Sequence, residues 1–262
     1  MFEVRTWRGR ALLQVVTTIL VIPFLFPLVV MVKGAFAGQG LENFRAVLAV
    51  PGFARFFANS VLIAVVVIAL VYVVTMMAAF GFAKLHIRFR EVYFWLLLIC
   101  LTLPEVVLLA PLFATDLRLG LYDTYWAVVL PLAALQVPFA VLLTRTFING
   151  LPDELFEAAR VDGANSLRGF IHLVIPLTRP IAAAVVIFTL VAAWNDYLMP
   201  LVFLQSADLQ TITLVPQYFV GEFSNDQTKI LASAVITAIP EVVAYLSLQR
   251  LFERGLSAGA IK

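Results

Sequence analysis

Charge is scarce in this sequence. Only 13% of its 262 residues are Asp, Glu, Lys or Arg, against about 25% in an average soluble domain. A water-solvated globule is therefore excluded as the whole fold. Cysteine occurs once, at Cys100, which rules out an intrachain disulfide. Histidine occurs twice, at His86 and His172, so neither has the partners a metal site needs. No G-x4-G-K-[ST] string is present, and without that P-loop the chain is not expected to be an ATPase on its own. Gly38-x-Gly40 lacks the third glycine of a dinucleotide fingerprint. No cluster of titratable residues at one membrane depth marks a catalytic centre, so no catalytic residue is assigned. The formal charge of +2 is small, and no nucleic-acid partner is expected.

What the sequence has instead is long apolar runs. It is 63% hydrophobic, and several runs reach the roughly 20 residues a helix needs to cross about 30 Å of hydrocarbon. The reading is an all-α polytopic membrane protein, one domain over residues 1–262. Six spans are expected near 11–32, 57–80, 92–113, 126–148, 181–204 and 229–248. The first follows Arg5, Arg8 and Arg10 but has no clean small-residue cleavage site, so it is read as a retained span. Pro23 and Pro27 predict a kink in it. Span 2 is rich in β-branched residues, yet a single unpaired strand is not viable in lipid. Its end carries Lys84, Arg88 and Arg90 with His86 between them, a surface suited to lipid headgroups.

Six spans put both termini on one side. With the termini in the cytoplasm, the other face holds Lys33, Arg45, Arg55, Arg118 and Lys229, and the remaining 13 of the 18 Lys and Arg fall on cytoplasmic segments. That bias fits the positive-inside rule and puts the loop 149–180 in the cytoplasm.

That loop contains PDELFEAARVDGANSLRGFIHLVIPLTRP from Pro152 to Pro180. Pro152 suits a first helical turn, and Asp153 and Glu154 suit a positive helix N-terminus. Leu155, Phe156, Ala159 and Leu167 are spaced for one apolar face. Gly163 breaks or bends the helix, or admits a tight contact. Asp162 is a candidate cap for a second helix, and Asn165 or Ser166 is a candidate start for it. On the residues alone, this is either a docking helix for a cytoplasmic partner or an ordinary amphipathic connection.

Glu157-Ala158-Ala159-x3-Gly163 followed by Leu173-x-Ile175-Pro176 resembles the EAA loop of ABC importer permeases. Leu173 and Ile175 exchange the usual Ile and Leu. Trp194-Asn195-Asp196-Tyr197 with Pro200-Leu201, the string Phe57-x-Asn59-Ser60, and the ending Arg254-Gly255-Leu256-x-x-Gly259-Ala260-x-Lys262 resemble the carbohydrate-type members of that family. The resemblance covers nearly the whole chain. It implies a type I importer permease fold in a prokaryotic inner membrane. It implies a coupling helix in which Glu154, Glu157, Ala158, Ala159, Asp162, Gly163 and Pro176 meet a cytoplasmic ATPase. It also implies a C-terminal tail, with Gly255, Gly259 and Lys262, that faces that ATPase. The implied partners are a second, similar permease, an ATPase dimer that binds ATP and Mg, and an extracytoplasmic solute-binding protein. No cofactor and no metal are assigned to this chain.

The translocation path is less defined. Glu105 inside span 3 and Glu241 inside span 6 are costly in lipid unless paired or hydrated. Glu105 either lines the path or is held by a neighbouring helix. Trp194, Asn195, Asp196 and Tyr197 combine aromatic faces with hydroxyl-bonding groups, as sugar sites do. Trp194 and Tyr197 equally fit an interfacial aromatic belt. The expected function is half of the path of an ATP-driven importer for a sugar or related polyol. The alternatives are an ABC permease for another solute and, distantly, a secondary transporter, which should show internal repeats.

Overall fold

The computed structural model describes residues 6–221 and 225–260, and the side chains of all of these except Leu248 and residues 250–260. The chain divides into two compact units, Met1–Phe53 with Val215–Ala238, and Ala54–Leu214 with Ile239–Lys262.

In the first unit, α1 (Trp7–Ala35) starts where Thr6 accepts a hydrogen bond from the Gly9 N–H at 3.3 Å. It stays helical through Pro23 and Pro27. Its apolar side chains are exposed all round, the pattern of a helix whose solvent is lipid. The short α2 (Leu41–Leu48) is amphipathic and buries Asn43 and Val47. The Asn43 amide donates to the carbonyls of Ala35 and Ala37 at 2.9 and 2.8 Å, and its oxygen accepts from Thr228 at 3.3 Å. Gly34 allows close approach: a Cβ there would stand 2.4 Å from Leu231 Cδ1, so the Leu231 side chain would have to turn away. The last helix, α12 (Gln227–Ala260), begins in this unit. Asp226 accepts from the Lys229 N–H and the Thr228 hydroxyl at its N-terminus, and pairs with Lys229 Nζ at 2.8 Å.

In the second unit, α3 (Phe53–Lys84) buries Phe56, Ile63, Val67, Val71 and Ala79, one stripe at helical spacing. Its other faces expose Leu62, Val65, Val73 and Met77, so apolar residues cover both sides. The expected span at 92–113 is not one straight helix. After α4 (Arg90–Ile99) and a 3₁₀ turn over Cys100–Thr102 the chain bends by 103° into α5 (Glu105–Leu119). Pro104 lacks an N–H and disfavours helical backbone at Leu103, which sits at ψ 116°. Gly120, at φ 67°, closes α5 in the left-handed conformation.

α6 (Tyr125–Asn149) runs unbroken through Pro131 and Pro138. Arg145 ties it to α4: the guanidinium lies 3.9 Å from the Phe94 ring centroid and pairs with Glu91. The loop 149–180 contains α7 (Asp153–Val161), α8 (Ser166–Gly169), a π-helical turn over Phe170–Val174 and α9 (Ile175–Leu177). A 74° bend then leads into α10 (Arg179–Asn195). The expected span to residue 204 ends early, because Asp196 is extended and a separate α11 (Leu198–Phe203) follows. Small residues line the buried faces, including Ala127, Ala140, Ala184 and Ala193. Between membrane helices, where lipid removes the hydrophobic drive, such residues let backbones approach.

Among the described residues, four unbroken helices have the length and composition to cross a membrane, and six spans result if each bent pair counts as one.

Candidate functional site

The loop 149–180 is built onto the end of α3. Lys84 extends from the last turn of α3 to place Nζ 2.6 Å from Asp153 Oδ1. The same ammonium reaches the Leu151 carbonyl at 3.4 Å and stands 4.5 Å from the Phe156 ring centroid. This contact holds the Asp153 carboxyl below its ordinary pKa, first through the Lys84 hydrogen bond and then through its charge. Beneath it, Phe156 joins Ala79, Phe80, Ile148 and Val174 in a buried cluster. Of the four apolar positions expected on one face, Phe156 is buried, whereas Leu155 and Leu167 are exposed.

The spacing of the Glu-Ala-Ala-x3-Gly string has a geometric cause. The Gly163 N–H donates to the Arg160 carbonyl at 3.0 Å, and the Ala164 N–H donates to the Ala159 carbonyl at 2.9 Å. These two bonds form a Schellman closure, which needs a left-handed residue four positions beyond the third-last helical residue. Gly163 supplies it at φ 78°. The next helix starts at Asn165, whose side chain accepts from the Arg168 N–H at 2.9 Å. Asp162, expected as a candidate cap for that helix, instead occupies the C-cap of α7. Glu154, Glu157, Ala158 and Asp162 are all exposed, as is Pro176. The loop thus presents an acidic, small-residue surface held rigidly from behind.

The candidate path residues fall into two contacts. Asn195 Nδ2 donates to Glu241 Oε2 at 3.0 Å. The Asp196 carboxyl lies within electrostatic reach of Glu105, beside the backbone amides of Leu198 and Met199. Glu105 Oε1 and Asp196 Oδ2 are buried without a hydrogen-bond partner. Trp194 is buried and packs edge-on against Phe57 at 5.7 Å. Tyr197 is exposed. Gly255 and Gly259 lie within the helical backbone of α12, and Lys262 lies outside the described residues. Among the described residues, no group of three or more His, Cys, Asp or Glu is placed to hold a metal ion.

One cluster was not anticipated. At the far end of α3 from Lys84, the buried Asn59 donates to the Asp208 and Gln210 carbonyls at 2.9 and 2.8 Å and accepts from Tyr125 Oη at 2.8 Å. Ser60 accepts from the Ile212 N–H at 2.9 Å, and Arg55 pairs with Asp208. Asp123 accepts from the Gln205 and Ser206 N–H groups, both at 2.9 Å, and from the Ser206 hydroxyl. The Ser206 bonds lower the Asp123 carboxyl pKa. Together these side chains pin the segment 205–212. The signal available in sequence was the polar pair Asn59-Ser60 at the head of an apolar run.

Among the described residues, four unbroken apolar helices and two bent pairs of spanning length define a polytopic membrane protein. Residues 72–258 match the family described as binding-protein-dependent transport system inner membrane component, and the chain belongs to that family. It is 35% identical over 223 residues to the arabinooligosaccharides transport system permease protein AraQ of Halalkalibacterium halodurans, covering 85% of this chain and 79% of that one. It is 34% identical over 207 residues to the melibiose/raffinose/stachyose import permease protein MelC of Bacillus subtilis, covering 79% and 75%. It is 35% identical over 206 residues to the sn-glycerol-3-phosphate transport system permease protein UgpE of Escherichia coli, covering 78% and 73%. A chain from the crystal structure of a bacterial ABC transporter involved in the import of the acidic polysaccharide alginate superposes with a TM-score of 0.77, at 21% identity, over 96% of this chain and 99% of that one. The fold is thus that of an ABC importer permease.

Proposed function

We propose that this chain forms half of the translocation path of an ABC importer for a sugar or related polyhydroxylated solute. A cytoplasmic ATPase docks on α7 and hydrolyses the ATP. The carrying observation is the exposed Glu157-Ala158 surface of α7, closed by Gly163 and fastened to α3 by Lys84. Closure of the ATPase moves α7, and the Lys84 contact and the Phe156 cluster pass that motion to α3, while the bend at Thr178 passes it to α10. The cavity between the two permeases then switches sides, a population shift driven by differential contacts in two states. Both termini and the loop 149–180 are cytoplasmic in this reading. The segment 205–212 faces outward, toward a solute-binding protein and a second permease. The residues 255–262 face the ATPase.

Glu105, Asn195, Asp196 and Glu241 are the polar groups offered to solute hydroxyls along the path, with Tyr197 beside them. The relatives carry arabinooligosaccharides, raffinose-type sugars and sn-glycerol 3-phosphate, which supports a polyhydroxylated substrate. The test uses membranes holding the assembled complex. Glu157→Lys should reduce recovery of the ATPase with the permease or leave ATP hydrolysis uncoupled from uptake, with the permease still folded. Normal coupling in that variant would remove the docking role. A ligand screen on the cognate binding protein decides the solute.

A further inference from the structure

Between the end of α3 and α7 lies a cavity of about 640 Å³, which Glu157 and Ala159 of α7 also border. Its basic lining comes from Lys84, Arg90 and Arg160, and His86, Asn165 and Ser166 add polar groups. Asp153 and Glu157 also reach it. Asp153 is taken by Lys84; the assignment of Glu157 to the ATPase and the cytoplasmic placement of this loop rest on the proposed function. Arg90 shares Glu91 with Arg145. Among the described residues, Arg160 makes no close ion pair, although its charge also acts on Asp153. The remaining balance is positive and favours an anion.

The position of the cavity indicates which anion. α3 contributes its last turn, one turn beyond the apolar run that ends near Phe80. The chain then turns over residues 85–89 and re-enters apolar sequence with α4. Around that turn Ile87, Phe89, Tyr93 and Trp95 are exposed, Trp95 to 63%. Basic residues beside exposed aromatic rings at a helix end are the composition of the headgroup layer. A phosphate with acyl chains attached can place its charge in the cavity while its chains run down the exposed face of α4.

We propose that this cavity seats the phosphate of an anionic phospholipid from the cytoplasmic leaflet. The lipid then sits between the end of α3 and the docking helix, where its headgroup braces the underside of α7.

Native mass spectrometry of the assembled complex, released from detergent with added phosphatidylglycerol or phosphatidylcholine, tests this. The wild type should retain phosphatidylglycerol in preference to phosphatidylcholine. Each basic residue near an anionic surface is worth about fivefold, so the Arg90→Gln, Arg160→Gln double variant should lose roughly tenfold or more of that preference. Arg90→Lys, Arg160→Lys should keep most of it, which separates loss of charge from misfolding. Equal retention by the wild type and the Gln variant overturns the proposal. Displacement of the lipid by millimolar inorganic phosphate overturns the lipid source and leaves a soluble phosphate as the ligand. Retention by the permease stripped of its ATPase, but not by the complex, assigns the cavity to the ATPase and also overturns it. The measurement uses no ATP, so a failure of Glu157→Lys to uncouple transport is a separate result.

Discussion

Lys84 and Asp153 join the end of the longest helix of the second unit to the first residue of α7, with Nζ and Oδ1 2.6 Å apart. Asp153 is largely exposed, and exposed ion pairs contribute little to stability. The Lys84 side chain is only 13% exposed and also serves the Leu151 carbonyl and the Phe156 ring. Its role therefore exceeds the ion pair. Lys84→Met, which keeps the stem and removes the charge, should speed amide exchange across Asp153–Val161 several-fold and lower solute uptake per ATP hydrolysed. Asp153→Asn should have a much smaller effect on both. Equal effects of the two variants would mean that the ion pair alone holds α7.

At the other end of α3, Asn59 makes three hydrogen bonds while almost fully buried. Asn59→Ala leaves two carbonyls and a phenol without their partner. Buried polar groups left unpaired cost about 1–3 kcal/mol each, and partial hydration at the loop edge lowers the sum to about 2–4 kcal/mol. Tyr125→Phe removes one bond and should cost about 1 kcal/mol. Thermal unfolding in detergent checks both. An Asn59→Ala effect no larger than that of Tyr125→Phe would show that the segment 205–212 is held elsewhere.

Asp123 gives the outer loop a defined pH response. Its folded carboxyl pKa lies below the ordinary 3.8 because the Ser206 hydroxyl and N–H, followed by the Gln205 N–H, favour the carboxylate. A depressed pKa contributes stability that is fully present above the unfolded value and is lost as pH falls through the folded one. Asp123→Asn should thus be less stable than wild type by a constant amount from about pH 5 to 8, of order 1 kcal/mol for a solvated group. The difference should shrink only below about pH 4. A gap that already closes near pH 6 would assign the response to another group.

These contacts mark how far the sequence could be read. Uninterrupted apolar length revealed α1, α3, α6 and the membrane part of α12, because crossing lipid requires about 20 such residues and little else. The same averaging hid the break at Leu103-Pro104 and the one at Asp196, where backbone geometry changes while the flanking residues stay apolar. The helix–Gly–helix pattern of the loop was legible because its closure is local: Ala159, Gly163 and Asn165 act within six residues. Lys84 and Asn59 were not, since their partners lie 69 and 149 residues away. Nothing near either residue in the chain names those partners. Trp194 illustrates the remaining gap. An aromatic in a polar string suits a solute path, a membrane interface or a core, and nothing local in the sequence reveals the burial of Trp194 or its packing on Phe57.

The last prediction concerns Gly163, where the cost is conformational rather than steric. A Cβ at this position would meet nothing within 4 Å, yet φ is 78°. Ala should therefore fit without a clash and still lose about 1 kcal/mol by occupying the left-handed region. Asn enters that region more readily because its short side chain bonds locally, and Val, with a branched Cβ, enters it least. Coupling of ATP hydrolysis to uptake, and protection of α7 amides, should follow the order Gly, Asn, Ala, Val. If closeness to the ATPase were the reason for glycine, the order would instead follow side-chain volume, with Ala above Asn. The relative rank of Gly163→Ala and Gly163→Asn in one uptake assay thus decides whether the glycine serves the turn of its own chain or the surface of a partner.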